Sequence, residues 1–167
     1  MTYEVIKEAV AKQQSGDKKL STENKVLGKV MTFYVGDQIY GIEIQNVVEI
    51  IEVPQITRVP HLPDFIKGII NVRSKAVPIV DIRTRFGKPE IPYTNRTCII
   101  ILAINDISVG IIVDSVADVE DIHSGDISAT PENNSVNTNE FIQYMIRSSE
   151  TVKLILDVAK LLDEQEG

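Results

Sequence analysis

The sequence repeats itself, and the repeat restricts the fold more than any single motif does. Asp37, Gly41, Ile42, Ile44, Val47, Glu49 and Ile50 fall, at a constant offset of 69, on Asp106, Gly110, Ile111, Val113, Val116, Asp118 and Val119. Farther on, Phe65, Ile66, Ile79, Asp81 and Ile82 fall, at an offset of 76, on Phe141, Ile142, Ile155, Asp157 and Val158. The seven extra residues lie between these blocks, where the stretch 129–139 is found. Whatever recurs in both halves is a candidate for scaffold, and whatever does not is a candidate for a site.

Ile and Val together make up 44 of the 167 residues and there is no Trp. Side chains branched at Cβ favour pleated surfaces, which points to an all-β protein. In the first half, 31–35 and 39–44 read as strands about a Gly36-Asp37 turn. The stretch 45–52 fits either a helical turn or a twisted strand. Pro54, Pro60 and Pro63 exclude a long helix over 53–63, and 64–67 is compatible with one short helical turn. Next come two β-branched runs flanking a polar turn at 71–75. Pro78 has no N–H, so its strand is expected at an edge or a bulge. In the second half, 97–104 and 107–113 are strands about Asn105-Asp106. Acidic, polar sequence then runs to Asn139, with 129–134 an exposed loop. Strands at 141–147 and 151–156 precede a C-terminal helix with Val158, Leu161 and Leu162 on one face.

Residues 1–26 read as a loose arm with at most one short helix, from Val5, Ile6, Ala9 and Val10 at helical spacing. Residues 27–167 form a single domain. Each half offers about five short strands and too few apolar residues for a core of its own. Two intertwined, closed β-barrels sharing one core would remove free edges and pool the apolar surface.

The net charge of −7 argues against nucleic acid as a partner. The longest wholly apolar run, 98–104, is seven residues, against about 20 for a membrane span. Glu4, Lys7 and Glu8 interrupt the N-terminus, which is no signal peptide. A soluble, intracellular protein is expected. Cys98 lies in the apolar run and is expected to be a buried thiol; a single cysteine makes no internal disulfide, which fits a reducing compartment.

Chemistry-bearing residues are sparse. Gly41 and Gly110 match across the repeat, so a shared backbone reason, a bulge or tight bend, is expected of both. Asp81 and Asp157 also match, each before a short helical run; N-capping explains their positions better than a pair of acid/base carboxylates. His61 and His123 lack metal-ligand spacing and read as solvated loop residues, so no metal is expected. No glycine-rich phosphate loop is present, and Asp114-Ser115 has no third group placed beside it. Asp114, Asp118, Glu120, Asp121 and Asp126 lack calcium-loop spacing and read as a solvated face. Arg73 aligns with Ser149 and has no counterpart. It belongs either to a structural salt bridge or to a binding surface.

The blocks Phe65-Ile66-Lys67-Gly68-Ile69-Ile70-Asn71-Val72-Arg73 and Val77-Pro78-Ile79-Val80-Asp81-Ile82-Arg83 with Phe86 resemble the signature of CheW-type chemotaxis coupling proteins. So do Tyr40-Gly41-Ile42-Glu43-Ile44 with Val47 and Glu49-Ile50, and Val109-Gly110-Ile111-Ile112-Val113-Asp114 with Val116. The resemblance extends over about residues 28–162; Ser74 stands where the family usually has glycine. It implies two packed five-stranded SH3-like barrels and an adaptor without catalysis or cofactor. Its implied partners are the cytoplasmic tip of a chemoreceptor (a methyl-accepting chemotaxis protein) and the regulatory domain of the histidine kinase CheA. Its place is the cytoplasm, at membrane-associated receptor arrays. Carried over by position, Arg73 and Val47 are receptor-tip contacts, and Gly68, Gly110, Val116 and Val119 lie in or beside the groove for the receptor's helical hairpin. No kinase contact is assigned. A severed kinase regulatory domain, or the adaptor half of a receiver-bearing protein, would share these blocks. A small hydrolase would need Asp81 or Asp114 exposed in a cleft with a raised pKa.

Overall fold

The computed structural model describes residues 25–129 and 140–162. The arm up to residue 24 and most of the 129–139 loop lie outside the described residues. Among the described residues eleven strands run β1 (Val26–Val35), β2 (Gln38–Glu43), β3 (Val47–Glu52), β4 (Ile66–Val72), β5 (Lys75–Asp81), β6 (Cys98–Ile104), β7 (Ile107–Val113), β8 (Ser115–His123), β9 (Ile127–Ser128), β10 (Ile142–Ser148) and β11 (Thr151–Leu156). Two one-turn helices, α1 (Ile82–Arg85) and α2 (Val158–Leu161), follow β5 and β11.

The strands form two sheets, in the orders β3-β6-β7-β5-β4 and β8-β1-β2-β11-β10-β9. These do not follow the halves of the repeat. Each half sends its first hairpin, β1–β2 or β6–β7, into the sheet built by the other half. One barrel, from β3 to β7, is therefore continuous in sequence and nested inside the other, whose strands wrap around it in the chain. Connection length forces this exchange. Within its own half, β8 would lie two strand spacings from β7, about 10 Å. Asp114 is the single residue between them, and two peptide steps reach only about 7 Å.

The registers repeat with the sequence. β11 pairs parallel to β2 with Ile155 opposite Gly41, and β5 pairs parallel to β7 with Ile79 opposite Gly110. A Cβ on Gly41 would sit 2.7 Å from Ile155 Cδ1 and Val30 Cγ2; one on Gly110 would sit 2.7 Å from Ile79 Cδ1 and 2.8 Å from Ile99 Cγ2. The shared reason for these glycines is thus neither bulge nor bend: neighbouring side chains occupy the space of a Cβ. The register shifts lie elsewhere, at the equivalent positions Val48 and Ala117, at the equivalent positions Lys67 and Gln143, and at Leu27.

Each barrel has a small core of its own, with Ile70, Val77, Ile79, Ile99, Ile101 and Ile112 in the nested barrel and Val30, Ile122, Ile127, Tyr144, Ile146 and Ile155 in the wrapping one. Both clusters draw residues from the two halves of the repeat, because each barrel contains an exchanged hairpin. The largest cluster is nevertheless shared, and an aromatic series, Phe33, Tyr40, Phe86 and Phe141, runs through it at centroid separations of 5.2–6.0 Å. Burial pushes the Tyr40 hydroxyl up to about 12.

Other local expectations need correction. The stretch 115–123, acidic and polar in sequence and assigned to no element above, is strand β8, with its alternation hidden because an edge strand carries charges on its open face. Residues 45–52 resolve into a 3₁₀ turn over Ile44–Asn46 and then a strand. Asp64 and Phe65 form a hydrogen-bonded turn rather than a helix, with the Ile66 N–H donating to the Pro63 carbonyl. Pro78 lies in β5, an interior strand. Its missing N–H is tolerated because pairing with β7 begins only at Ile79. Cys98 is half-buried rather than buried, and burial pushes its thiol up. His123 closes β8, opposite Val26, and is not a loop residue.

Candidate functional site

β4 and β5 are joined by two residues only, Arg73 and Ser74, with Val72 opposite Lys75. Both have positive φ, 53° and 70°, which is the backbone of a tight hairpin turn whose twist matches that of its strands. Each non-glycine residue held there costs on the order of 1 kcal/mol. Glycine in place of Ser74 would avoid this cost. The turn projects Arg73 outward, so its side chain is 75% exposed; Nη2 lies 3.5 Å from Glu49 Oε1 in β3. The two alternatives weighed for Arg73 therefore meet in one arrangement. It is exposed enough to bind, and a loose ion pair holds it over the edge strand that begins with Val47.

Val47 and its repeat partner Val116 are half-buried and pack on the shared core. Each is the second residue, or the first, of a strand that has just crossed between barrels. Val119 is 45% exposed, its repeat partner Ile50 is 42% exposed, and the bulge residue Val48 is open as well. Ile50 and Val48 were not singled out from sequence, although the offset of 69 already paired Ile50 with Val119. Glu49 was likewise read only as scaffold, since nothing local reveals that a turn 24 residues on places a cation above it.

Gly68 and Gly110 are buried. A Cβ on Gly68, whose φ is +152°, would come within 2.2 Å of the Thr57 carbonyl oxygen. That carbonyl accepts from the Ile69 N–H, and the Thr57 N–H donates to the Ile69 carbonyl, which closes the nested barrel. Neither glycine presents a side chain to a partner. Their influence on a bound molecule would pass through the strands they allow to approach.

The carboxylates are accounted for by structure. Asp81 is 4% exposed and its Oδ1 accepts from the Arg83 N–H, while Asp157 accepts from the Ala159 N–H. Both cap their helices, and both also donate their own N–H to a repeated phenylalanine carbonyl, Phe65 or Phe141. Burial pushes the Asp81 carboxyl up, against the bond it accepts from the Arg83 N–H. Asp114 takes a forked pair of bonds from Arg83. Although burial works against it, that pair and the Gly36 N–H hold its carboxyl below the usual range. Of the acidic cluster, Glu120 pairs with Lys153 and Asp121 with Lys29. Among the described residues no three His, Cys, Asp or Glu side chains are placed to hold a metal ion, and no helix is long and apolar enough to cross a membrane.

A family model for the CheW-like domain matches residues 29–166. The chain belongs to the CheW-like family. It is 34% identical over 152 residues to the chemotaxis protein CheW of Klebsiella aerogenes, covering 88% of this chain and 92% of that one. It is also 34% identical over 148 residues to CheW of Bacillus subtilis, covering 89% and 95%. The crystal structure of the scaffolding protein TtCheW from Thermoanaerobacter tengcongensis superposes with a TM-score of 0.77 at 29% identity, over 84% of this chain and 95% of that one. The two SH3-like barrels are therefore the CheW-like fold.

Proposed function

We propose that this protein is a non-enzymatic scaffold that couples the cytoplasmic tips of chemoreceptors to the histidine kinase CheA in chemotaxis. The observation that carries the receptor side is the Arg73 turn: a solvent-facing cation, fixed at the end of a strained hairpin and leashed to Glu49 beside Val47. A helical hairpin offers an apolar stripe and carboxylates or end carbonyls. Val47, Val116 and Val119 suit the stripe and Arg73 the anionic groups, while Gly68 and Gly110 shape the strands beneath. The kinase regulatory domain would dock on another surface of the barrels. Coupling of this kind takes place in the cytoplasm at receptor arrays and needs no cofactor.

Calorimetric titration with a receptor-tip fragment, and separately with the CheA regulatory domain, tests the reading. Both should bind, and Arg73→Glu should weaken the first at least tenfold, about 1.4 kcal/mol, with the second unchanged. Absence of binding to either folded partner would refute the coupling role.

A further inference from the structure

The two crossovers between barrels are fastened differently. The one from β7 to β8 consists of Asp114 alone. Its N–H donates to the Tyr34 carbonyl at 3.0 Å. Its carboxylate accepts from Arg83 Nε at 3.1 Å, from Arg83 Nη2 at 2.7 Å and from the Gly36 N–H at 2.8 Å. Arg83 is itself anchored, since its N–H donates to the Asp81 cap and Nη1 reaches the Pro89 carbonyl at 3.4 Å. Helix α1 of the nested barrel, the crossover, and the β1–β2 turn of the wrapping barrel are thus tied at one point. The Arg83 and Asp114 side chains are only 16% and 24% exposed.

The repeat does not require this fastening. At the other crossover the equivalent positions are Gln45, Ala159 and Asn105, which make no ion pair; Gln45 turns back to Glu43 instead. The forked pair belongs specifically to the crossover that leads, two residues on, into Val116 and then Val119. A bidentate guanidinium–carboxylate pair fixes direction as well as distance, which a point charge does not.

We propose that Arg83 and Asp114 are positioning residues for the receptor-tip site: they set where β8 starts, and so where Val116 and Val119 meet a bound helix. This inference rests on the coupling reading above. Arg83→Lys keeps the charge and the stem but loses the fork. It should weaken binding of a receptor-tip fragment about five- to tenfold while leaving affinity for the CheA regulatory domain within about twofold. In methyl spectra of the free full-length protein, Val116 and Val119 should shift in Arg83→Lys while Val47 and Ile50 stay in place. Asp114→Asn and Val116→Ala should be non-additive in receptor-tip binding, whereas Asp114→Asn and Arg73→Ala should add. Unchanged receptor-tip affinity in both Arg83→Lys and Asp114→Asn would overturn the positioning role. Equal loss for both partners would reduce the pair to a general brace and overturn it as well. If the unmodified protein binds no receptor-tip fragment, the coupling reading itself fails and the positioning role falls with it.

Discussion

Placing one methyl group on Gly110 should cost the fold about 1–2 kcal/mol, although alanine is otherwise better suited than glycine to a strand interior. The position has no room. A Cβ there would stand 2.7 Å from Ile79 Cδ1, 2.8 Å from Ile99 Cγ2 and 3.2 Å from Ile101 Cδ1. Ile79 and Ile99 are fully buried, so neither withdraws into solvent. Overpacking of this kind costs about 1–3 kcal/mol, and the stiffer unfolded chain returns about 0.4–1 kcal/mol of it. At about 2–4 °C per kcal/mol for a chain of this size, Gly110→Ala should melt roughly 2–8 °C lower, with an unchanged urea m-value. Ile79→Val removes the Cδ1 that collides. Alone it should cost about 1 kcal/mol, yet in the Gly110→Ala background it should cost nothing or recover stability, a coupling above about 0.5 kcal/mol. Any loss of partner binding in Gly110→Ala should be recovered by the same second change. Wild-type stability in Gly110→Ala, or strict additivity of the two, would refute the steric account of the repeated glycine.

Ser74→Gly should stabilise the protein by about 0.5 kcal/mol, seen as a melt roughly 1–2 °C higher, because relief of positive φ outweighs the added freedom of the unfolded chain. Glu43 is 2% exposed, and burial pushes its carboxyl up against the bonds it accepts from Tyr144 and Gln45. A raised folded pKa means a contribution that is fully present below the unfolded value of about 4.3 and lost as pH rises through the folded value. Glu43→Gln should therefore gain stability relative to the unmodified protein as pH rises from about 4.5 towards neutrality, measured by urea denaturation at each pH; a constant difference would contradict it. Asp157→Ala should cost about 1 kcal/mol by loss of its cap on α2, checked in the same denaturation assay.

The legible parts of this sequence were those with a local cause. Asp81 and Asp157 declared themselves as caps because the helical runs follow them immediately, and the hairpins at Gly36 and Asn105 lie between unbroken β-branched runs. The offset of 69 marked Gly41 and Gly110 as scaffold, but not why, since the atoms that exclude a Cβ come from strands up to 114 residues away. β8 escaped notice because its charges lie on an open edge. Arg73 was conspicuous as an unmatched cation, whereas its ion-pair partner Glu49 depended on the barrel closing. The exchange of hairpins was implicit in the single residue between β7 and β8, yet that constraint takes effect only once the sheet order is known.

The nesting of one barrel inside the other has a consequence for synthesis. On the ribosome, β3 to β7 emerge as an uninterrupted stretch and can close soon after Val113 appears. The β1–β2 hairpin is made earlier but pairs with β8 and β11, so it waits until Leu156 has been added. At about 5–20 residues per second that delay is on the order of 5–20 s. Until β8 is complete at His123 a hairpin carrying Phe33, Tyr40 and Ile42 has no strand to pair with, and its sheet is finished only when β11 has been added. Strands β1 and β2, translated before the nested barrel, are thus among the last to complete their sheet, and this interval is when the nascent chain is most open to capture by chaperones or by another copy of itself.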